Sequence, residues 1–178
     1  MRWAWPGSLR TVVGVPLTVR AFRPSDLVAL SELSLRAWEP VFGAWRGVLG
    51  DGLYRLAYPD WRRSQAAAVR TTCETHGGTT VVAELDGRVV GFAVAVLGEP
   101  DDGGVRAADL EMIAVDPDAQ RRGTGRLLLD AALEIMRGAG CAYANVWTGG
   151  DVGHTAARRL YEGNGFTPLP VVHYYREL

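Results

Sequence analysis

Residues 110–115 form a short apolar run, residues 116–126 read Asp-Pro-Asp-Ala-Gln-Arg-Arg-Gly-Thr-Gly-Arg, and residues 127–136 carry the periodicity of an amphipathic helix. Pro117 keeps the strand from continuing as a ladder. Gly123 and Gly125 remove side chains where the chain must turn and where a ligand can approach the backbone. A helix that begins here leaves its first amides without partners, and those donors, with a helix-end charge of about +0.5, favour an anion. Arg121, Arg122 and Arg126 add full positive charge at the same point. The chemistry this stretch suits is the binding of a phosphate-bearing ligand, with a pyrophosphate as the natural fit.

Two familiar phosphate loops are excluded by single residues. A Walker A loop needs Gly-Lys-Ser/Thr, whereas Gly125 is followed by Arg126 and Leu127. A dinucleotide fingerprint needs a third glycine where Leu128 stands. What remains is Gln120-x-x-Gly123-x-Gly125 after a strand ending in Val115-Asp116-Pro117, which resembles the acyl-CoA pyrophosphate loop of the GNAT superfamily of N-acetyltransferases. A second segment strengthens the likeness. His154-Thr155-Ala156-Ala157-Arg158-Arg159-Leu160-Tyr161-Glu162-Gly163-Asn164-Gly165-Phe166 is similar to the other GNAT signature, in family order and about thirty residues downstream. Together the two cover residues 108–178, while the upstream half matches the family layout in pattern only.

The resemblance implies a mixed, mostly antiparallel α/β (α+β) sheet of six to seven strands with helices on both faces, splayed between its fourth and fifth strands. In that slot the pantetheine arm of acetyl-CoA lies like an extra strand against the backbone of Ile113, Ala114 and Val115. Gln120, Arg121, Arg122, Gly123, Thr124, Gly125 and Arg126 receive the pyrophosphate, and Val115 N–H faces the oxyanion of the tetrahedral intermediate. His154 stands where many relatives carry an asparagine that contacts pantetheine, and it can donate a similar bond or titrate. Arg158 and Tyr161 of the same segment join the cofactor-binding set. No metal is implied.

Acyl transfer to an amine needs one proton removed and one supplied. Tyr161 suits the supply, because a phenol with a reference pKa of about 10 can protonate a departing thiolate, a role the resemblance also implies. For removal, Asp109 and Glu111 lie two residues apart and so share one face of a strand. That face must look into a cleft or solvent, since an unpaired buried carboxylate is very costly. Glu111 reaches further and is the expected base, directly or through a water, with Asp109 as the substitute. Asn145 occupies a position where some relatives carry a glutamate, so no base is available there. The expected reaction is direct acetyl transfer from acetyl-CoA to a primary amine of a small molecule or peptide. A non-catalytic acyl-CoA-binding sensor or scaffold would keep residues 113–126 and release no thiol.

The elements that must position these groups follow from periodicity. Residues 17–22 alternate as a first strand, and Ser25 or Asp26 is placed to cap a helix carrying Leu27, Leu30, Leu33 and Ala37 that Pro40 closes. Two further helical pieces with a bent link are expected over residues 41–73, the second starting after Pro59 and stopping at Gly77-Gly78. Asp86-Gly87 between apolar runs predicts a hairpin of residues 79–85 and 88–97. A fourth strand over 108–115, a helix over 125–139, a fifth strand over 141–147, a helix over 155–162 and two closing strands at 166–167 and 171–176 complete the order. Residues 1–15, with Trp3 and Trp5, read as an N-terminal arm before one domain over 16–178, divided into an acceptor-side half (16–107) and an acetyl-CoA-binding half (108–178). In this fold class the segment 27–76 builds the acceptor wall, and here it carries Trp38, Phe42, Trp45, Tyr54, Tyr58 and Trp61.

Composition narrows the classes. A chain of 178 residues with 48% hydrophobic and 22% charged residues buries a core of ordinary size. The net charge of −1 favours neither nucleic acid nor an anionic membrane. All 19 cationic residues are arginine, which excludes lysine Schiff-base or lysine-nucleophile chemistry. Cys73 and Cys141 lack metal-ligand or disulfide-framework spacing. No apolar run approaches the roughly 20 residues of a membrane span, and Pro6, Gly7 and Ser8 interrupt any signal-peptide core, so the expected location is cytoplasmic. Family members are often dimers, which leaves a homodimer compatible with the resemblance.

Overall fold

The computed structural model describes residues 8–12 and 15–178, with burial described from residue 17 onward. Six strands form one sheet in the order β1 (Ser8–Val12), β2 (Val15–Ala21), β3 (Thr80–Leu85), β4 (Arg88–Leu97), β5 (Ala107–Val115) and β6 (Tyr143–Asn145). All neighbours pair antiparallel except β5 and β6, which are parallel. Helices α1 (Leu27–Ala57) and α2 (Trp61–Thr75) cover one face, α3 (Thr124–Gly138) covers the other, and α4 (Thr155–Glu162) follows β6. The mixed sheet with helices on both faces is the one expected, and the expected fourth and fifth strands are β5 and β6.

Strand alternation sorts the core into two layers. Leu17, Val19, Val81, Ala83, Ala93 and Ala95 face α3. Val82, Phe92 and Val94 face Leu27, Leu30 and Leu33 of α1 and Val69 and Cys73 of α2. α3 closes its layer with a stripe of Leu128, Ala131, Ala132, Ile135 and Met136 at helical spacing, all buried. Gly91 permits the contact: a Cβ there would lie 2.7 Å from the Ala114 carbonyl oxygen and 2.9 Å from Leu128 Cδ1. The hairpin turns on Asp86 and Gly87, both at positive φ (52° and 69°), as a two-residue Asp-Gly turn requires.

Four expectations are corrected. Pro40 does not close the first helix; α1 runs through it and breaks instead at Gly50 (φ 72°, ψ 163°). A proline inside a helix removes one hydrogen bond, a cost offset here by buried Leu30 and Leu33 before it and buried Val41 and Phe42 after it. Asp26 stands before α1 but does not cap it, because its carboxylate is engaged by Arg20 and by the Arg23 amide. Part of the supposed arm is a strand: residues 8–12 pair with β2, while Trp3 and Trp5 lie outside the described residues. The two closing strands do not form, and residues 166–178 run without regular structure, the Tyr175 hydroxyl sharing a 2.7 Å hydrogen bond with that of Tyr58, the residue that follows α1.

Candidate active site

β5 and β6 pair over only three residues, Ala107–Asp109 against Tyr143–Asn145. Beyond that fork, residues 110–115 have no partner on the β6 side among the described residues. Asp109 marks the fork, its Oδ1 accepting from Asn145 Nδ2 at 2.7 Å. On the other side the Asp116 amide donates to the Val90 carbonyl of β4 at 2.8 Å. Antiparallel alternation then turns the amides and carbonyls of Val115 and Ile113 toward the open edge and those of Ala114 toward β4. Of the three backbone positions expected in the slot, two face it and Ala114 does not. Gln120 Nε2 donates to the Val115 carbonyl at 3.1 Å, leaving the Val115 amide without an acceptor among the described residues.

The open edge runs into the start of α3. The loop passes through left-handed backbone at Arg121 (φ 61°) and Gly123 (φ 83°), so it coils tightly before the helix begins. No side chain caps α3, and the amides of residues 121–126 have no acceptor among the described residues. Thr124 is buried and turns its hydroxyl to the Ala119 carbonyl, bracing the loop from within. The guanidinium of Arg126 is paired with Asp130, whereas Arg121 and Arg122 are exposed and form no ion pair among the described residues. The loop is anchored to α1 as well. Arg36 bonds Asp116, which is 3% exposed. Burial alone would raise the Asp116 carboxyl, but the bonds from Arg36 and the Asp118 amide hold it below the usual carboxylate range.

α4 packs beside this start. A Cβ on Gly125 would sit 3.5 Å from Leu160, an ordinary contact that sets the two helix ends together. The next residue, Tyr161, is 7% exposed, packs its ring against Phe166 at 5.7 Å and has its phenol pushed up to about 12 by burial. Tyr161 lines a cavity of about 690 Å³ together with Asn145, Trp147, Arg158 and residues of the C-terminal stretch. Asn145, Arg158 and Tyr161 are therefore brought together, while Ile113, Ala114, Val115 and residues 120–126 lie outside that cavity along the open edge. Arg158 is turned to the loop before α4, donating to the carbonyls of Gly149 and Asp151.

The two carboxylates of β5 do not share one regular face. The β4–β5 register shifts between Val94 and Ala95, which pair with Met112 and Leu110, so Glu111 is the extra, bulged residue. It is exposed and unbonded among the described residues, whereas Asp109 is engaged by Asn145. His154 is neither exposed nor isolated: its Nδ1 lies 2.7 Å from Asp151 Oδ2, which also accepts from Trp45 Nε1 of α1 at 3.1 Å. The sequence singles out neither Asp151 nor Arg36 as a contact. An Asp-x-x-His spacing signalled the first, but Arg36 and Asp116 are 80 residues apart and nothing local connects them. Of the expected aromatic wall, Phe42 stacks on Trp61 (4.3 Å) and meets Trp45 and Tyr58 edge-on.

Comparison with known proteins agrees with this geometry. Residues 50–166 match the family model described as Acetyltransferase (GNAT) family. The mycothiol acetyltransferase of Clavibacter michiganensis subsp. michiganensis is 36% identical over 149 residues, 82% of this chain and 44% of that protein. That of Sanguibacter keddieii is 34% identical over 157 residues, 87% and 45%. The [ribosomal protein bS18]-alanine N-acetyltransferase of Salmonella typhimurium is 36% identical over 92 residues, 51% and 55%. The chain thus spans less than half the length of these two mycothiol acetyltransferases. Among solved structures, the fold is shared with the PaiA N-acetyltransferase of Thermoplasma acidophilum in complex with coenzyme A (TM-score 0.65, 18% identity, 85% of this chain and 89% of that one). It is shared too with an aminoglycoside N-acetyltransferase in complex with CoA (TM-score 0.57, 20% identity, 94% and 99%). The matched residues take in the hairpin, the open edge, the uncapped helix and α4, and the chain belongs to the GNAT acetyltransferase family.

Proposed function

We propose that this chain is an N-acetyltransferase that carries the acetyl group of acetyl-CoA to a primary amine of a small molecule or peptide, by direct transfer with both substrates bound. One observation carries the reading: an unpaired strand edge leads directly into a helix start whose amides have no acceptor. An extended pantetheine chain matches the first in hydrogen-bonding pattern, and a pyrophosphate matches the second in charge. Ile113 and Val115 supply the edge, residues 120–126 receive the phosphates, and Arg121 and Arg122 add charge.

In this reading the amine nitrogen attacks the thioester carbon and Val115 N–H donates to the carbonyl oxygen as it gains charge. Before attack the acceptor ammonium gives one proton to Glu111, the β5 carboxylate that no side chain engages among the described residues, directly or through a water, and after attack the nitrogen sheds its second proton to solvent. The C–S bond breaks and the sulfur takes the phenolic proton of Tyr161, which burial keeps protonated at neutral pH; the phenolate then regains a proton from solvent and Glu111 releases its own. No acyl-enzyme is required. The relatives' names set the first acceptors to try: amines related to mycothiol, a peptide beginning with alanine, and aminoglycosides. Purified protein with acetyl-CoA and this panel should release free thiol with at least one amine. Binding of acetyl-CoA with no thiol release across the panel would instead favour a sensor or scaffold.

A further inference from the structure

Residues 167–178 have no regular structure, and among the described residues they make no backbone–backbone hydrogen bond. The segment is held at two points. At one end Phe166 donates its amide to the Tyr161 carbonyl at 3.1 Å and packs its ring 5.7 Å from the Tyr161 ring. At the other the Tyr175 hydroxyl is bonded to that of Tyr58 at 2.7 Å. Exposure marks this second point, since Tyr175 is 38% exposed whereas Tyr174 beside it is 83% exposed. Tyr58 is itself well fixed. Its amide closes α1 on the Tyr54 carbonyl at 2.8 Å, and its ring lies 5.1 Å from Trp45 and 5.6 Å from Phe42. Burial and the bond with Tyr175 push its phenol up, so it stays protonated through neutral pH.

Between the two points the segment passes the cavity that Tyr161 lines. Residues 167–171 line it, as do residues 144–150, the end of β6 and the stretch beyond. Much of the lining is apolar, with Leu133, Val146, Trp147, Leu169 and Val171 contributing. Trp147, Leu169 and Val171 are 74%, 84% and 62% exposed, so three large apolar side chains gather uncovered around one space. The charged groups of the lining are Arg137, Arg158 and Glu162, two guanidiniums against one carboxylate. A polycation seated there would meet like charge, while an uncharged apolar group would take the exposed side chains out of water. At about 690 Å³ the space is of small-molecule size.

We propose that residues 167–175 are a strap over this cavity, latched by the Tyr58–Tyr175 hydroxyl pair, and that the uncharged, apolar portion of the acceptor amine is enclosed beneath it. The inference rests on the acetyl-transfer reading and narrows its acceptor to amines with an apolar body. Tyr58 and Tyr175 are then positioning residues, which act by holding residues 167–171 against the cavity beside Tyr161. A segment fixed only at its ends opens at little cost, so the latch sets how often the cavity is closed. It also ties the C-terminal stretch to the end of α1, 117 residues away in sequence.

The test is steady-state kinetics of the full chain with an amine found active in the thiol-release panel, with acetyl-CoA affinity measured alongside as a check of folding. Tyr58→Phe and Tyr175→Phe each remove one hydroxyl and keep the ring. Each should raise KM for the amine by about fivefold, within the net worth of one neutral hydrogen bond, with acetyl-CoA affinity within about twofold of wild type. The double variant should match either single one, because both changes break the same bond. Amines with an uncharged apolar body should show lower KM than aminoglycosides. A second readout needs no turnover: a seated amine should slow tryptic cleavage after Arg176 in wild type, and less so in the variants. An unchanged KM in all three variants, additive losses in the double one, no protection by the amine, or an aminoglycoside as the best acceptor overturns the proposal and leaves the acetyl-transfer reading standing. A wild-type protein inactive with every amine overturns that reading, and the acceptor assignment with it.

Discussion

Tyr161 is the residue on which the proposed chemistry most directly turns. Tyr161→Phe keeps the ring packed on Phe166 and removes only the phenolic proton. Turnover should fall by about 100-fold while acetyl-CoA affinity stays within about twofold, checked by pre-steady-state thiol release and by calorimetric titration. Unchanged turnover would remove Tyr161 as the acid. The same phenol links stability to pH. Its folded pKa, about 12, is raised above the ordinary value of 10 by burial, so its contribution is complete below pH 10 and is lost as pH rises toward 12. Denaturant unfolding at pH 8 and pH 11 should show wild type losing more stability than Tyr161→Phe over that interval.

At the scale of elements, the link that matters joins α1 to the loop before α3. Asp116 is buried at the end of β5 and held by Arg36, so the acceptor-side helix and the phosphate loop share one anchor. Arg36→Ala should destabilise the protein by about 1–3 kcal/mol, because it leaves a buried carboxylate with the Asp118 amide as its remaining side-chain bond. Since the folded carboxyl sits below its ordinary value, the stabilisation is present above about pH 4 and disappears as pH falls through the folded value. The difference between wild type and Arg36→Ala should therefore shrink in acid, as chemical denaturation from pH 7 to pH 3 would show. Gly91 tests the packing of α3 on β4 in the same way. Gly91→Ala places a methyl within 3 Å of both the Ala114 oxygen and Leu128, and should cost about 1–3 kcal/mol.

Taken as a whole, the molecule has a sheet that is paired from β1 to β5 and then opens. A ligand that bridges the open edge and the α3 start binds only the folded chain, so acetyl-CoA at 100 times its dissociation constant should add about 2.7 kcal/mol to folding stability. Thermal unfolding with acetyl-CoA, and with coenzyme A as a comparison, measures this. No shift at saturating concentration would mean that the edge and the helix start do not form a single site.

Much of this was legible in the chain itself. The Asp86-Gly87 hairpin, the alternation that separates two core layers, the helical stripe of α3 and the glycine-containing loop all depend on residues within a few positions of one another, and local periodicity and turn chemistry report them directly. Other features were decided only by contacts distant in sequence. Pro40 lies inside a helix because buried residues on either side outweigh its missing hydrogen bond. The Ala114 backbone faces β4 rather than the slot because the pairing phase is set by a partner strand, and Glu111 leaves the face of Asp109 because β5 takes a bulge at that residue. Arg36 meets Asp116, and Trp45 meets Asp151 and through it His154, across 80 and 106 residues. Such pairs carry no local pattern. They exist only once the sheet has brought the two halves of the chain against each other.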